Sequence, residues 1–203
     1  MSITLILTSA GMRMKNEILA LLPKPAHQMK VAHIITAAKG EPDPSFAVRD
    51  VTFMRDLGFT VEDIDLEGKS IEELRPLFVD KDIVYVQGGN TFYLMKYICE
   101  SGFDQLVQEL IQQGKIYVGV SAGTIVAGTD IGTAEPADPN NVGLTDYTGM
   151  GLVDLVINPH HDRFGEEEAV QIYEHKTGKQ VTRLTDNQMI VVVDGNIRII
   201  NHL

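Results

Sequence analysis

The chain has 203 residues, 44% of them hydrophobic, enough to bury a core without disulfide or metal staples and consistent with one globular domain over residues 1–203. Its formal net charge of −11 sets it against phosphate-rich partners, so nucleic acid and anionic membrane are excluded as expected partners. No apolar run is long enough to cross a bilayer.

The N-terminus, MSITLILTSAGMRMK, lacks a positively charged start followed by a signal-length apolar run, and its apolar part, Ile3–Thr8, reads as a buried strand. A helix is predicted over 12–22. Val31–Ala37 is a second apolar strand, followed by helix candidates at 45–57 and 71–78. Ile83–Val86 is the third strand, and the helix after it, 91–99, carries the single cysteine. Cys99 cannot form an intramolecular disulfide, and with no signal-like leader the expected location is the cytoplasm, as a monomer or homodimer. Over 103–113, Phe103, Leu106, Val107, Leu110 and Ile111 share one helical face, with Ser101 and Asp104 as a possible capping box. Ile116–Val120 is the fourth strand. The Gly-, Pro- and Asp-rich stretch 128–151 is long for a connection and reads as a functional loop. Leu152–Ile157 is a strand and 166–175 a helix, and the runs 189–193 and 197–200 bracket Asp194-Gly195, a hairpin signal. Strands apolar on both faces, alternating with helices, predict an α/β three-layer sandwich with a mostly parallel sheet and a C-terminal β-hairpin.

The chemistry concentrates at strand ends. Gly119-Val120-Ser121-Ala122-Gly123 matches GxSxG between a strand and a helix, the context of a nucleophile elbow. The glycines keep a tight corner clear, and the helix N-terminus directs free backbone N–H groups to where negative charge would develop. The competing reading is a Gly-rich turn or a phosphate loop; no Lys-Ser or Lys-Thr pair follows to make it a Walker loop. An acyl-transfer site also needs a second oxyanion donor, and Gln87-Gly88-Gly89-Asn90, after the third strand, is the candidate: its paired glycines let the backbone approach a substrate carbonyl, with Gly88 and Asn90 as substrate contacts, and Asn90 or Thr91 could equally cap the next helix.

A serine of ordinary pKa needs a base. His33 lies inside a core strand, where a structural role is expected, and His27, His175 and His202 sit in polar or terminal surroundings. His160 and His161, in Asn158-Pro159-His160-His161-Asp162, emerge at a strand end. His160 is the first choice and His161 its rival. A metal site at this pair is disfavoured because adjacent residues point apart and no further ligand cluster is visible, so neither metal nor cofactor is expected.

GVSAG, with QGGN about thirty residues before it and INPH about forty after it, resembles the peptidase E family of serine peptidases, over most of the chain. The resemblance implies a fold like that of the class I glutamine amidotransferases, with flavodoxin-like topology and serine where those enzymes place cysteine. It also implies Ser121 as nucleophile, His160 as base, and the N–H groups of Gly89 and Ala122 as oxyanion hole. The family's orienting carboxylate has two competing places, here Glu135 or Asp138 in TAEPADP, or Asp186 in LTDNQ. Asp186 is favoured because strand-like stretches flank it.

The function expected is hydrolysis of short peptides through an acyl-enzyme, with dipeptides bearing N-terminal aspartate as one substrate class. Arg163, three residues past His160, could meet such a carboxylate. The following helix, GEEEAVQIYEH, is acidic where an arginine would be expected, which counts against aspartate preference. The alternatives are an α/β-hydrolase esterase, an amidase, and a non-catalytic binding domain on the same scaffold.

Overall fold

The computed structural model describes residues 3–163 and 165–202. The strands in chain order are β1 (Thr4–Thr8), β2 (Lys30–Ile34), β3 (Thr60–Ile64), β4 (Ile83–Val86), β5 (Ile116–Val120), β6 (Val156–Asn158), β7 (Val181–Arg183), β8 (Gln188–Val193) and β9 (Asn196–Asn201). The helices are α1 (Lys15–Leu21), α2 (Thr36–Lys39), α3 (Ser45–Asp56), α4 (Ile71–Leu74), α5 (Thr91–Ser101), α6 (Phe103–Gln112), α7 (Ala122–Ile125) and α8 (Glu166–Thr177). The main sheet runs β3-β2-β4-β5-β1-β8-β9, parallel from β3 through β1 and antiparallel in its last two strands. Its first four strands follow the flavodoxin order 2-1-3-4, and β1 takes the fifth place.

Alternation along each strand divides the core in two. Leu5, Leu7, Val84, Val86 and Tyr117 pack on one side of the sheet, with α5 and α6. Ile6, Ile83, Tyr85, Ile116 and Val118 pack on the other, with Ile18 of α1 and Val51 and Met54 of α3. Both faces are therefore covered, as continuous apolar strands require. Burying a side chain such as Phe103 or Leu106 contributes about 1.5–3 kcal/mol. The C-terminal hairpin turns at Asp194 and Gly195, with φ of 50° and 80°, the doubly positive geometry of a two-residue type I′ turn.

Several expected elements are differently placed. The run Val31–Ala37 does not stay extended: β2 ends at Ile34, and the chain coils into α2. Apolar content alone could not distinguish a strand from a short buried helix there. The helix expected over 71–78 is α4 followed by a 3-10 turn that begins at Arg75-Pro76, and the one expected over 12–22 opens with a 3-10 turn at Gly11–Met14. The Ser101–Asp104 capping box does not form. Gly102, with φ 73°, ends α5 and begins α6, while the Ser101 hydroxyl donates back to the carbonyl of Tyr97 at 2.6 Å. The capping box is instead Ser70 with Glu73, at the start of α4.

Leu152–Ile157 contains only the beginning of a strand. β6 lies outside the main sheet, paired parallel with β7 and joined to it through α8. This small β-α-β unit sets two chain segments side by side at its carboxyl end: Leu184 N–H donates to Asn158 O at 2.9 Å, and His161 N–H donates to Leu184 O at 3.1 Å. The residues just beyond β6 and β7 are thereby brought together.

The closest packing surrounds the GxSxG corner. A Cβ on Gly119 would stand 2.5 Å from Gly123 O, and one on Gly123 would stand 2.1 Å from Val86 O. Backbone lies on both sides, so neither clash can be relieved by a rotamer change. Gly123→Ala is expected to cost about 3 kcal/mol and to lower Tm by about 10 °C in a thermal melt. A Tm within 2 °C or so of the parent would show that α7 is free to move off β4.

Candidate active site

Ser121 occupies the turn from β5 into α7 with φ 48° and ψ −108°, a region that costs a non-glycine residue about 1–3 kcal/mol. The surrounding bonds fix it there. Its N–H donates to Thr8 O at 2.9 Å, and its carbonyl accepts from Thr124 N at 2.9 Å and Ile125 N at 3.0 Å. Thr124 Oγ1 bonds both Thr8 O (2.7 Å) and Gly119 O (2.9 Å), and the buried Tyr117 hydroxyl donates to Gly123 O at 2.6 Å. The main chain is committed to the scaffold. The side chain is left to project from the carboxyl edge of the sheet.

There it meets His160, whose Nε2 lies 3.0 Å from Ser121 Oγ. The other ring nitrogen, Nδ1, is hydrogen-bonded to Asp186 Oδ1. A carboxylate only accepts, so this pairing selects the Nδ1–H tautomer and leaves Nε2 to accept the serine proton. His160 follows β6 and Asp186 follows β7, so the small parallel sheet is what aligns base and acid. His160 itself has φ 58°, held by its N–H donating to Ser9 Oγ at 3.1 Å, while that hydroxyl donates to Leu184 O at 3.0 Å. Asp186 is held by its N–H on Asp162 Oδ1 at 3.1 Å.

Burial, aided by the Arg163 guanidinium, pushes the His160 imidazole below the ordinary histidine range, against the opposing pull of Asp186. A general base acts when neutral, so activity is lost as pH falls through the pKa of this histidine. The acid limb of kcat/KM is accordingly expected below pH 6.5, the ordinary histidine value. A pH–rate profile with its acid limb above that value would contradict the assignment.

The backbone donors expected beside the serine are available. Among the described residues, neither Gly89 N–H nor Ala122 N–H donates a hydrogen bond to the protein. Gly89 has φ 134°, and a Cβ on it would stand 2.3 Å from Ala37 O, so only glycine fits where β4 and α2 meet. Gly88 abuts the serine: a Cβ there would lie 3.0 Å from Ser121 Cβ. Asn90 takes the other reading considered for it. Its Oδ1 caps α5 by accepting from Tyr93 N at 2.8 Å and its Nδ2 donates to Pro139 O at 3.0 Å, so both ends of its amide are engaged away from substrate.

Among the described residues, none of the rival side chains is bonded to the His160 ring. Glu135 is exposed at the end of a 3-10 turn. Asp138 is half-buried and not the solvated loop acid expected, but its Oδ2 accepts from Thr91 N at 2.7 Å at the start of α5, and neither Glu135 nor Asp138 is bonded to His160. His161 turns away from Ser121, with Nδ1 3.0 Å from Asn158 Oδ1 and Nε2 2.7 Å from Glu167 Oε2 on α8. His33 is fully buried between Asp63 (2.8 Å) and Gln87 (3.1 Å), the structural place expected of it. Arg163 is largely exposed, with Nη2 3.7 Å from Asp186 Oδ2.

These groups open onto a cleft of about 460 Å³ whose walls include Ser9, Asp50, Gly88, Gly89, Ser121 and His160. The loop 128–151 reaches it through Ala137 and Asp138. Ser9 and Asp50 were not legible as site residues. Ser9 had one available signal, its position directly after the first strand of a parallel sheet, where ligand-contacting loops gather. No group of three or more His, Cys, Asp or Glu side chains among the described residues is arranged to hold a metal, and no described helix is long and apolar enough to cross a membrane.

Comparison with known proteins places the chain in a family. The family model for peptidase family S51 matches residues 5–200. An uncharacterised peptidase of Pasteurella multocida is 32% identical over 179 residues, covering 85% of this chain and 86% of that protein. A peptidase E of Shewanella denitrificans is 32% identical over 121 residues, covering 55% of this chain and 51% of its own. A crystal structure described as a peptidase E protein from Listeria monocytogenes superposes with a TM-score of 0.88 at 25% identity, covering 100% of both chains.

Proposed function

Since this chain belongs to peptidase family S51 and is a serine-type peptidase, we propose that it hydrolyses short peptides through an acyl-enzyme formed on Ser121. The observation that carries the proposal is the continuous line from Ser121 Oγ through both nitrogens of His160 to Asp186. Ser121 Oγ attacks the scissile carbonyl while His160 Nε2 takes its proton, and the carbonyl oxygen becomes an oxyanion facing the N–H groups of Gly89 and Ala122. His160 then returns the proton to the leaving amine. Water attacks the ester with the same imidazole as base, which releases the acid and restores the serine. Asp186 keeps the imidazole in the Nδ1–H tautomer and stabilises the imidazolium formed in each half-reaction.

The size of the cleft favours peptides of a few residues, and Arg163, already beside Asp186, is poorly placed to define an aspartate pocket. A panel of dipeptides and tripeptides, Asp-X sequences included, run beside simple esters and amides tests the reading. Peptide turnover that disappears in Ser121→Ala supports it. Turnover of esters or amides alone would replace it with an esterase or amidase.

A further inference from the structure

The carboxylate of Asp50 lies in the wall of the same cleft as Ser121, on a helix that takes no part in the catalytic line. It is a constructed position. Tyr85 Oη donates to Asp50 Oδ2 at 3.0 Å and Gln87 Nε2 donates to the same oxygen at 3.2 Å. Gln87 is itself fixed from behind, since its Oε1 lies 3.1 Å from His33 Nε2, and His33 Nδ1 lies 2.8 Å from Asp63 Oδ1. Oδ1 accepts no hydrogen bond from the described residues and is not sealed off from the cleft.

The charge around it is unbalanced. Glu41, Asp50 and Asp138 all line the cleft, and among the described residues no lysine or arginine nitrogen comes within 4.0 Å of any of their carboxylates. The two arginines on the cleft offset them only in part: Arg163 faces Asp186, and the exposed Arg49 exerts the smallest of the influences on Asp50. Burial raises the Asp50 carboxyl above the ordinary aspartate range, outweighing the hydrogen bonds from Tyr85 and Gln87 and the smaller opposing pull of His33 and Arg49. A partly buried carboxylate with one oxygen anchored and the other unbonded gains most from a cation that arrives with the substrate.

We propose that Asp50 is a specificity-determining residue that receives a cationic group of the peptide substrate, an ammonium or guanidinium, so that the cleft selects positively charged peptides over acidic ones. The inference rests on the peptidase reading for the meaning of "substrate", but its test does not require turnover. Binding is measured by calorimetry on full-length Ser121→Ala, with Lys-Ala, norleucine-Ala and Glu-Ala dipeptides and an N-acetylated copy of each. At least one cationic ligand is expected to bind about tenfold or more tightly than its uncharged counterpart, and Glu-Ala weakest of the free dipeptides.

Loss of affinity on acetylating norleucine-Ala would identify the α-ammonium as the group held. Preference for acetyl-Lys-Ala over acetyl-norleucine-Ala would identify the side chain. Adding Asp50→Asn should reduce either preference to threefold or less, and Asp50→Glu, which restores the charge, should recover it, with circular dichroism verifying the fold of each variant. Equal binding of charged and uncharged peptides, no binding by any of them, or a preference unchanged in Asp50→Asn would overturn the proposal. Failure of the peptidase reading would appear separately, as absence of Ser121-dependent turnover by the parent chain.

Discussion

Ser121→Ala is expected to lower kcat on any cleaved peptide by about 10⁶-fold, with KM little changed. The magnitude follows from what is removed: the substitution leaves His160 and Asp186 in place but takes away the atom that forms the acyl bond. The activity that remains, about 10³–10⁴ above the uncatalysed reaction, would come from the backbone donors and from binding. The fold should be unaffected, because among the described residues the Ser121 hydroxyl bonds only to His160, while the bonds that set the corner belong to its main chain and to Thr124 and Tyr117. Relief of strain is not expected either, since alanine is no more at ease than serine at a φ of 48°. A loss of less than about a hundredfold in purified, folded protein would mean that hydrolysis proceeds without this nucleophile.

Asp186→Asn should come next in effect, with a fall of about 10⁴-fold in kcat. The amide can donate to Nδ1, which frees the ring to carry its proton on Nε2, and that tautomer cannot accept from Ser121. Two neighbouring acids provide the contrast. Glu135→Gln should change kcat by less than about threefold, because the residue is exposed and has no bond to the histidine. Asp138→Asn should cost about 1 kcal/mol of stability through the weakened bond to Thr91 N at the α5 N-terminus, with kcat within about tenfold of the parent. Steady-state kinetics on the three variants separates the assignments. A larger loss from the Asp138 variant than from the Asp186 variant would move the acid to the loop that follows the serine.

Whatever was legible in the sequence had a local cause. Ser121 could be read because a tight strand-to-helix corner needs small neighbours, and Gly119 and Gly123 show that need directly; the structure sharpens the reason, which is contact between α7 and the backbone of β4 and β5. His160 could be proposed because it follows the apolar run ending at Ile157, with the family resemblance selecting it over His161, and Asp186 because strand-like stretches flank it. What could not be read was the relation between those runs. The three-residue strand β7 is too short for any periodicity, so its pairing with β6, which brings acid to base, left no trace. β3 was missed because it is an edge strand whose sequence, TVEDI, exposes its charges. Ser9 and Asp50 are distant from Ser121 in sequence and reach it only through parallel pairing of β1 with β5 and the packing of α3 beneath the sheet. Asn90 is close to the site in sequence, but the α5 cap and Pro139 claim its amide, whereas Arg163 does line the cleft, with Nη2 3.7 Å from Asp186 Oδ2.

The central claim is that Ser121 is a nucleophile activated by His160, and labelling with an active-site phosphonate addresses it most directly. Reaction of the folded chain with a fluorophosphonate, followed by peptide mapping in the mass spectrometer, should find one adduct, on Ser121, forming more slowly as pH falls through the His160 pKa and absent from Ser121→Ala. An adduct on another residue, or labelling undiminished in Ser121→Ala, would contradict the account.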